Sequence, residues 1–94
     1  MQLEEFDKAI ADFNEAIRLE PAQAEHYYKR GVAYARQGDY EKASASFATA
    51  IALNEKHVDA YRQMASMMQS LGRAELASEY RQKANQLSPE RNSQ

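Results

Sequence analysis

Two histidines, His26 and His57, are the side chains of this 94-residue chain best suited to proton transfer or metal ligation near neutral pH. They stand 31 positions apart, near the starts of different expected helices, and no His-x-x-x-His pair occurs. Each therefore reads as a surface or turn residue. The carboxylates of the first helix are too numerous and scattered to single out a general acid and base. Lys8 with Asp12 and Glu79 with Lys83 sit four apart and read as helix-surface pairs. Neither Gly-x-x-x-x-Gly-Lys nor Gly-x-Ser-x-Gly occurs. With no cysteine, disulfides, thiolate metal sites and a Cys nucleophile are excluded. No constellation adds up to an active site, so the expectation is a protein without catalytic residues, metal or cofactor.

Charge narrows the partners. Twelve Lys+Arg face 14 Asp+Glu, a net charge of −2, where phosphate-binding proteins carry a basic surplus. No nucleic-acid partner is expected. The first 20 residues hold six acidic groups against Lys8 and Arg18, unlike the basic start of a signal peptide. The longest apolar-looking run, Phe47 to Leu53, has seven residues including Thr49. A spanning helix needs roughly 20. The chain is expected to be soluble and cytoplasmic, without a membrane partner.

The elements that position these side chains announce themselves by a repeat. At an interval of 34 residues Ala9, Ala43 and Ala77 coincide, as do Ala16, Ala50 and Ala84, and Leu19, Leu53 and Leu87. Tyr27 pairs with Tyr61, Gly38 with Gly72, Phe13 with Phe47 and Ile17 with Ile51. Pro21 and Pro89 stand two intervals apart. Several residue types agreeing on one period mark a repeated unit.

Within each unit the spacing is helical. Ala9, Phe13, Ala16 and Ile17 form an apolar stripe on one face, repeated by Ala43, Phe47, Ala50 and Ile51. Small alanines let helices approach, and Phe and Ile fill the space beside them. A second kind of helix carries Tyr27, Gly31 and Tyr34. Glycine in mid-helix costs about 1 kcal/mol against alanine, so Gly31 implies a neighbour seated on its backbone. Its counterpart one repeat on is Ala65. Gly38 and Gly72 mark tight turns after helix ends, and Pro21 and Pro89 disfavour helix at the residues before them. The expected elements are five helices, about 3–19, 23–37, 40–53, 58–71 and 74–87, with a polar tail at 90–94.

These residues resemble the tetratricopeptide repeat family. Tyr27, Gly31, Tyr34, Gly38, Ala43, Phe47, Ala50 and Leu53 match its motif in the middle repeat. Tyr61, Ala65, Gly72, Ala77, Ala84, Leu87 and Pro89 carry it in the last. Phe6, Ala9, Phe13, Ala16, Leu19 and Pro21 supply the second half of a first repeat. The resemblance implies an all-α solenoid of antiparallel helix hairpins, about two and a half repeats over residues 1–89. It is divided into 1–23, 24–57 and 58–89. Four departures stand out. Arg30 occupies a Leu position, Met68 replaces the second Tyr, Glu55 replaces a Pro, and Arg81 stands where Phe13 and Phe47 stand. With Tyr80 one residue before Arg81, the last helix is expected to rotate or open.

The resemblance also implies a concave groove lined by the first helix of each pair, where relatives bind peptide segments of other proteins. The matching positions are Glu25, Tyr28, Val32, Ala35 and Arg36, then Asp59, Arg62, Ser66, Gln69 and Ser70. The Lys and Asn with which some relatives hold a chaperone C-terminus are replaced by Tyr28 and Arg62, and by Val32 and Ser66. Chaperone-tail binding is therefore not expected. Glu25 and Asp59 also oppose an RNA-reading groove. The expected function is a non-enzymatic adaptor that binds a partner peptide. The alternative is a self-assembling scaffold: the chain begins in mid-repeat, so it is either excised from a longer array or meets other copies through its open ends. Phe6, Ile10, Phe13 and Ile17 would form that face. Residues 1–20 carry net −4 and residues 73–91 net +1, which suits a head-to-tail homo-oligomer.

Overall fold

The chain was described by a computed structural model covering residues 3–88, so the expected tail at 90–94 lies outside the described residues. Five α-helices follow one another: α1 (Leu3–Leu19), α2 (Ala24–Arg36), α3 (Tyr40–Leu53), α4 (Val58–Ser70) and α5 (Ala74–Leu87). No strand occurs among the described residues. Each helix packs on the next in chain order, more densely within the α2–α3 and α4–α5 hairpins than between them. The result is an elongated slab of 42 × 28 × 19 Å rather than a bundle closed end to end.

The hairpin turns are two copies of one structure. Gly38 and Gly72 take φ of 87° and 78°, where a Cβ would be strained. In the first, the Asp39 and Gly38 amides donate to the carbonyls of Tyr34 and Ala35. In the second, Arg73 and Gly72 donate to Met68 and Gln69. This pairing satisfies the orphan carbonyls of a helix end and reverses the chain within a few residues. Asp39 then starts α3 by accepting a hydrogen bond from the Lys42 amide at 3.2 Å, a cap worth about 1 kcal/mol.

The core follows the 34-residue period. Ala43, Phe47, Ala50 and Ala77 are fully buried, and Ala84 nearly so. Gly31 shows why: a Cβ there would lie 2.6 Å from the Phe47 ring, so the missing side chain is the seat of that ring. Met64, Met67 and Met68 complete the cluster from α4, and Tyr80 packs on it from α5. The substitution of Arg81 for Phe does not rotate or open α5. Ala77 and Ala84 keep the register of Ala43 and Ala50, while the exposed Arg81 reaches across to Gln69 of α4 and Tyr80 packs against the core beside Tyr61 (centroids 6.4 Å apart). The repeated Leu19 and Leu53, by contrast, are not core residues, at 64% and 43% exposed.

Arg30 is accommodated by polar partners rather than by apolar packing. Its Nε donates to the buried Ser46 hydroxyl of α3 at 3.0 Å, and its guanidinium donates to the Asn14 carbonyl oxygen of α1 at 2.9 Å. The Tyr27 and Tyr34 rings lie 5.5 and 5.9 Å from the guanidinium carbon. One side chain thus ties three successive helices together.

Candidate functional site

Eight of the ten expected groove positions divide into three sets, and Ser70 stands exposed at the end of α4. Tyr28, Val32 and Arg36 line a cavity of about 480 Å³ to which α1 contributes Phe6, Ala9 and Phe13, and α4 contributes Gln63. Arg62, Ser66 and Gln69 line a smaller one of about 270 Å³ between α4 and α5, with Arg81 at its wall. Glu25 and Asp59 line neither and are engaged locally. Asp59 pairs with Arg62 at 3.4 Å one turn on, and Glu25 with His57 at 3.2 Å. Ala35 packs on the core.

The larger cavity owes its shape to helix geometry. Phe6, Ala9 and Phe13 project from one face of α1, three and four residues apart. Lys29, Val32, Ala33 and Arg36 do the same on α2. Apolar side chains make the wall and cations stand on its α2 side. Lys29 and Arg36 are exposed and make no ion pair among the described residues. The carboxylate one turn before Lys29, Glu25, already accepts from His57. Two cations beside an apolar wall favour an acidic, partly apolar ligand.

His57 supports the cavity from below. Its Nδ1 accepts a hydrogen bond from the Ala60 amide at 3.2 Å, capping α4. That leaves the proton on Nε2, which donates to the Glu25 carboxylate of α2. The ring meets Tyr28 at a tilt of 35° with centroids 4.7 Å apart, and Tyr28 in turn meets Phe47 at 5.7 Å. The imidazole therefore stands in the turn before α4, one of the two places expected for it, and is mostly buried there, coupling two helices. His26 plays a comparable part nearer the α1–α2 turn, 2.8 Å from Glu20, while the Tyr27 hydroxyl donates to the Pro21 carbonyl. No group of three or more His, Asp or Glu side chains able to hold a metal occurs among the described residues.

The expected self-association face is also divided. Phe6 and Phe13 line the larger cavity. Ile10 is buried, at 8% exposed, and so is unavailable for contact; Ile17 is half-buried and outside the cavity. Lys29 and Gln63 were absent from the sequence reading of the site. Their polar character gives no signal until three helices are brought around one space. No helix among the described residues is long and apolar enough to cross a membrane.

Comparison with known proteins agrees with this geometry. The TPR repeat model matches residues 1–38 and the tetratricopeptide repeat model residues 24–57. The chain belongs to the tetratricopeptide repeat family. It is 46% identical over 57 residues to the uncharacterized protein MJ0572 of Methanocaldococcus jannaschii, an alignment covering 61% of this chain and 66% of that protein. The crystal structure of MamA superimposes with a TM-score of 0.89 at 26% identity, over 96% of this chain and 53% of MamA. The TPR domain of Arabidopsis OM64 does so with a TM-score of 0.88 at 28% identity, over 93% of this chain and 72% of that domain. The chain thus spans about half the length of MamA and just under two thirds of MJ0572. Tetratricopeptide repeats are protein–protein interaction modules, and in general not catalytic ones.

Proposed function

We propose that this chain is a non-catalytic adaptor that docks a peptide segment of a partner protein against the face formed by α1, α2 and α4. One observation carries the reading: an apolar cavity of about 480 Å³ stands open beside Lys29 and Arg36, two cations without a carboxylate partner among the described residues. Buried aromatic anchors with a polar rim are the residue types that dominate interface energetics. The preferred segment carries a bulky apolar residue next to acidic ones.

The test is selection of peptides from a random display library on the wild-type chain, followed by rebinding to a Lys29→Glu, Arg36→Glu double variant. Both positions are exposed, so the variant is expected to keep its helicity. Enrichment of acidic-apolar peptides that the variant no longer retains supports the reading. Peptides retained equally by both proteins place the working surface elsewhere. Tyr28→Ala is a poorer probe, because the ring is packed on His57 and Phe47 and its loss would disturb the fold as well.

A further inference from the structure

The last hairpin is filled with sulfur where the one before it is not. Three of the chain's four methionines, Met64, Met67 and Met68, stand three and four residues apart on one face of α4. Their counterparts one repeat earlier are Arg30, Ala33 and Tyr34. Each thioether is buried, at no more than 6% exposed. The three join Ala43 and Phe47 of α3 to Ala77 of α5 in one buried cluster, none of whose side chains carries a hydrogen-bond donor. The hairpin also lacks a fastening that α2–α3 has. Asp39 caps α3 with its side chain, whereas Arg73 before α5 makes no such bond. Arg81 reaches Gln69 across the hairpin at 3.5 Å, the limit of a hydrogen bond.

We propose that Met64, Met67 and Met68 form an oxidative modification site: a peroxide converts them to sulfoxides when the α4–α5 hairpin opens, and the sulfoxides then keep it open. The sulfur attacks the outer oxygen of the peroxide, so an S–O bond forms as the O–O bond breaks. With hydrogen peroxide the other oxygen leaves as water; the sulfur loses two electrons and the peroxide gains them. Buried sulfurs react only while α4 and α5 are apart. The product is polar, and the alanines, Phe47 and methionines of the cluster offer its oxygen no donor, so reclosing would bury it unpaired. Two thiols reverse the step, returning the thioether with a disulfide and water. The α2–α3 hairpin carries no methionine and takes up no oxygen in this way. Gln63 of α4 lines the larger cavity, so an open hairpin also dismantles that space, but the oxidation does not depend on what docks there.

The experiment treats the whole 94-residue chain with hydrogen peroxide at neutral pH and follows it by mass spectrometry. Trypsin cleavage after Arg62 and Arg73 yields one peptide that carries all three methionines and neither Met1 nor any other sulfur. Its oxidation is expected to be slower than that of N-acetylmethionine amide by about tenfold or more, and to approach that reference in denaturing urea. After the peroxide is removed, amide hydrogen exchange in α4 and α5 should be faster by about tenfold or more, with a smaller change in α2. A methionine sulfoxide reductase with a dithiol should restore the original exchange. A Met64→Leu, Met67→Leu, Met68→Leu chain, close in side-chain volume, should pass through the same treatment unchanged. If that variant does not fold, the reductase step on the wild-type chain carries the test alone.

Sulfoxides in the Gln63–Arg73 peptide with unchanged exchange in α4 and α5 overturn the proposal, because the hairpin then recloses over them. Oxidation as fast as that of the reference compound overturns it too, since no opening would be required. So does an equal loss of protection in α2, which would make the effect general unfolding rather than the release of one hairpin. No oxidation of the peptide at doses that consume the reference compound also overturns it, because the hairpin does not open to the oxidant.

Discussion

Phe47 and Phe13 stand at the same place in successive repeats and have opposite fates. Phe47 is sealed between α2 and α3 because Gly31 leaves room for its ring, and a fully buried Phe contributes about 1.5–3 kcal/mol from transfer alone. Phe13 is half-buried and lines a cavity. The same residue type is thus sealed in the core where a helix covers it and lines a cavity where, among the described residues, none seals it. A second contrast lies between the two complete hairpins. In α2–α3 one aromatic ring fills the space beside a glycine, whereas in α4–α5 the core is assembled from three methionines and Tyr80, with Arg81 left outside. The backbone arrangement is shared, but the filling is not.

The largest effect should separate the two phenylalanines. Phe47→Ala is expected to cost about 3–5 kcal/mol and Phe13→Ala only about 1–2 kcal/mol in urea denaturation. Equal costs would mean that α1 is as well covered as α3. Next is Gly31. Gly31→Ala forces the Phe47 ring aside, with an overpacking cost of about 1–3 kcal/mol that the gain in helix propensity, about 1 kcal/mol, only partly offsets. Adding Phe47→Leu to that variant should recover part of the loss. If Gly31→Ala instead stabilises the chain, the close approach of α2 and α3 is wrong.

The capping contrast is smaller. His57 and Gln23 are one repeat apart and both precede a helix, but only His57 caps, while Gln23 makes no side-chain cap bond. His57→Ala should lower stability by about 1–2 kcal/mol and Gln23→Ala by a few tenths at most, read from thermal melts. The smallest effect is alkaline. Burial, with Glu55 and Tyr80 nearby, raises the pKa of the Tyr61 hydroxyl, so the folded chain holds that proton more tightly than the unfolded one. Its contribution is complete below the ordinary tyrosine value, about 10, and is lost as pH rises through the folded value. Tyr61→Phe should flatten the fall in stability above that pH, and an unchanged slope would assign the fall to other groups.

Much of the fold could be read from the sequence, because the signals were local or periodic. Gly38 and Gly72 specify their turns by backbone conformation alone, and helix ends at Leu19, Leu53 and Leu87 fall where the repeat puts them. The orientation of α5 does not follow from Arg81. Its register is set by Ala77 and Ala84, which a helix can bury regardless of the residue between them. The site was less legible. Glu25 looked like a groove residue and is held by His57, an arrangement that depends on how α2 meets α4. Lys29 and Gln63 acquire meaning only when α1, α2 and α4 enclose one space.

The most direct test is chemical-shift mapping of a library-selected acidic-apolar peptide on the isotope-labelled chain. The account predicts that the largest perturbations fall on Ala9, Phe13, Val32 and Gln63, with saturation at one equivalent. Perturbations centred on the exposed outer face of α3, at Ala48 and Ala52, with the cavity residues unmoved, would contradict it.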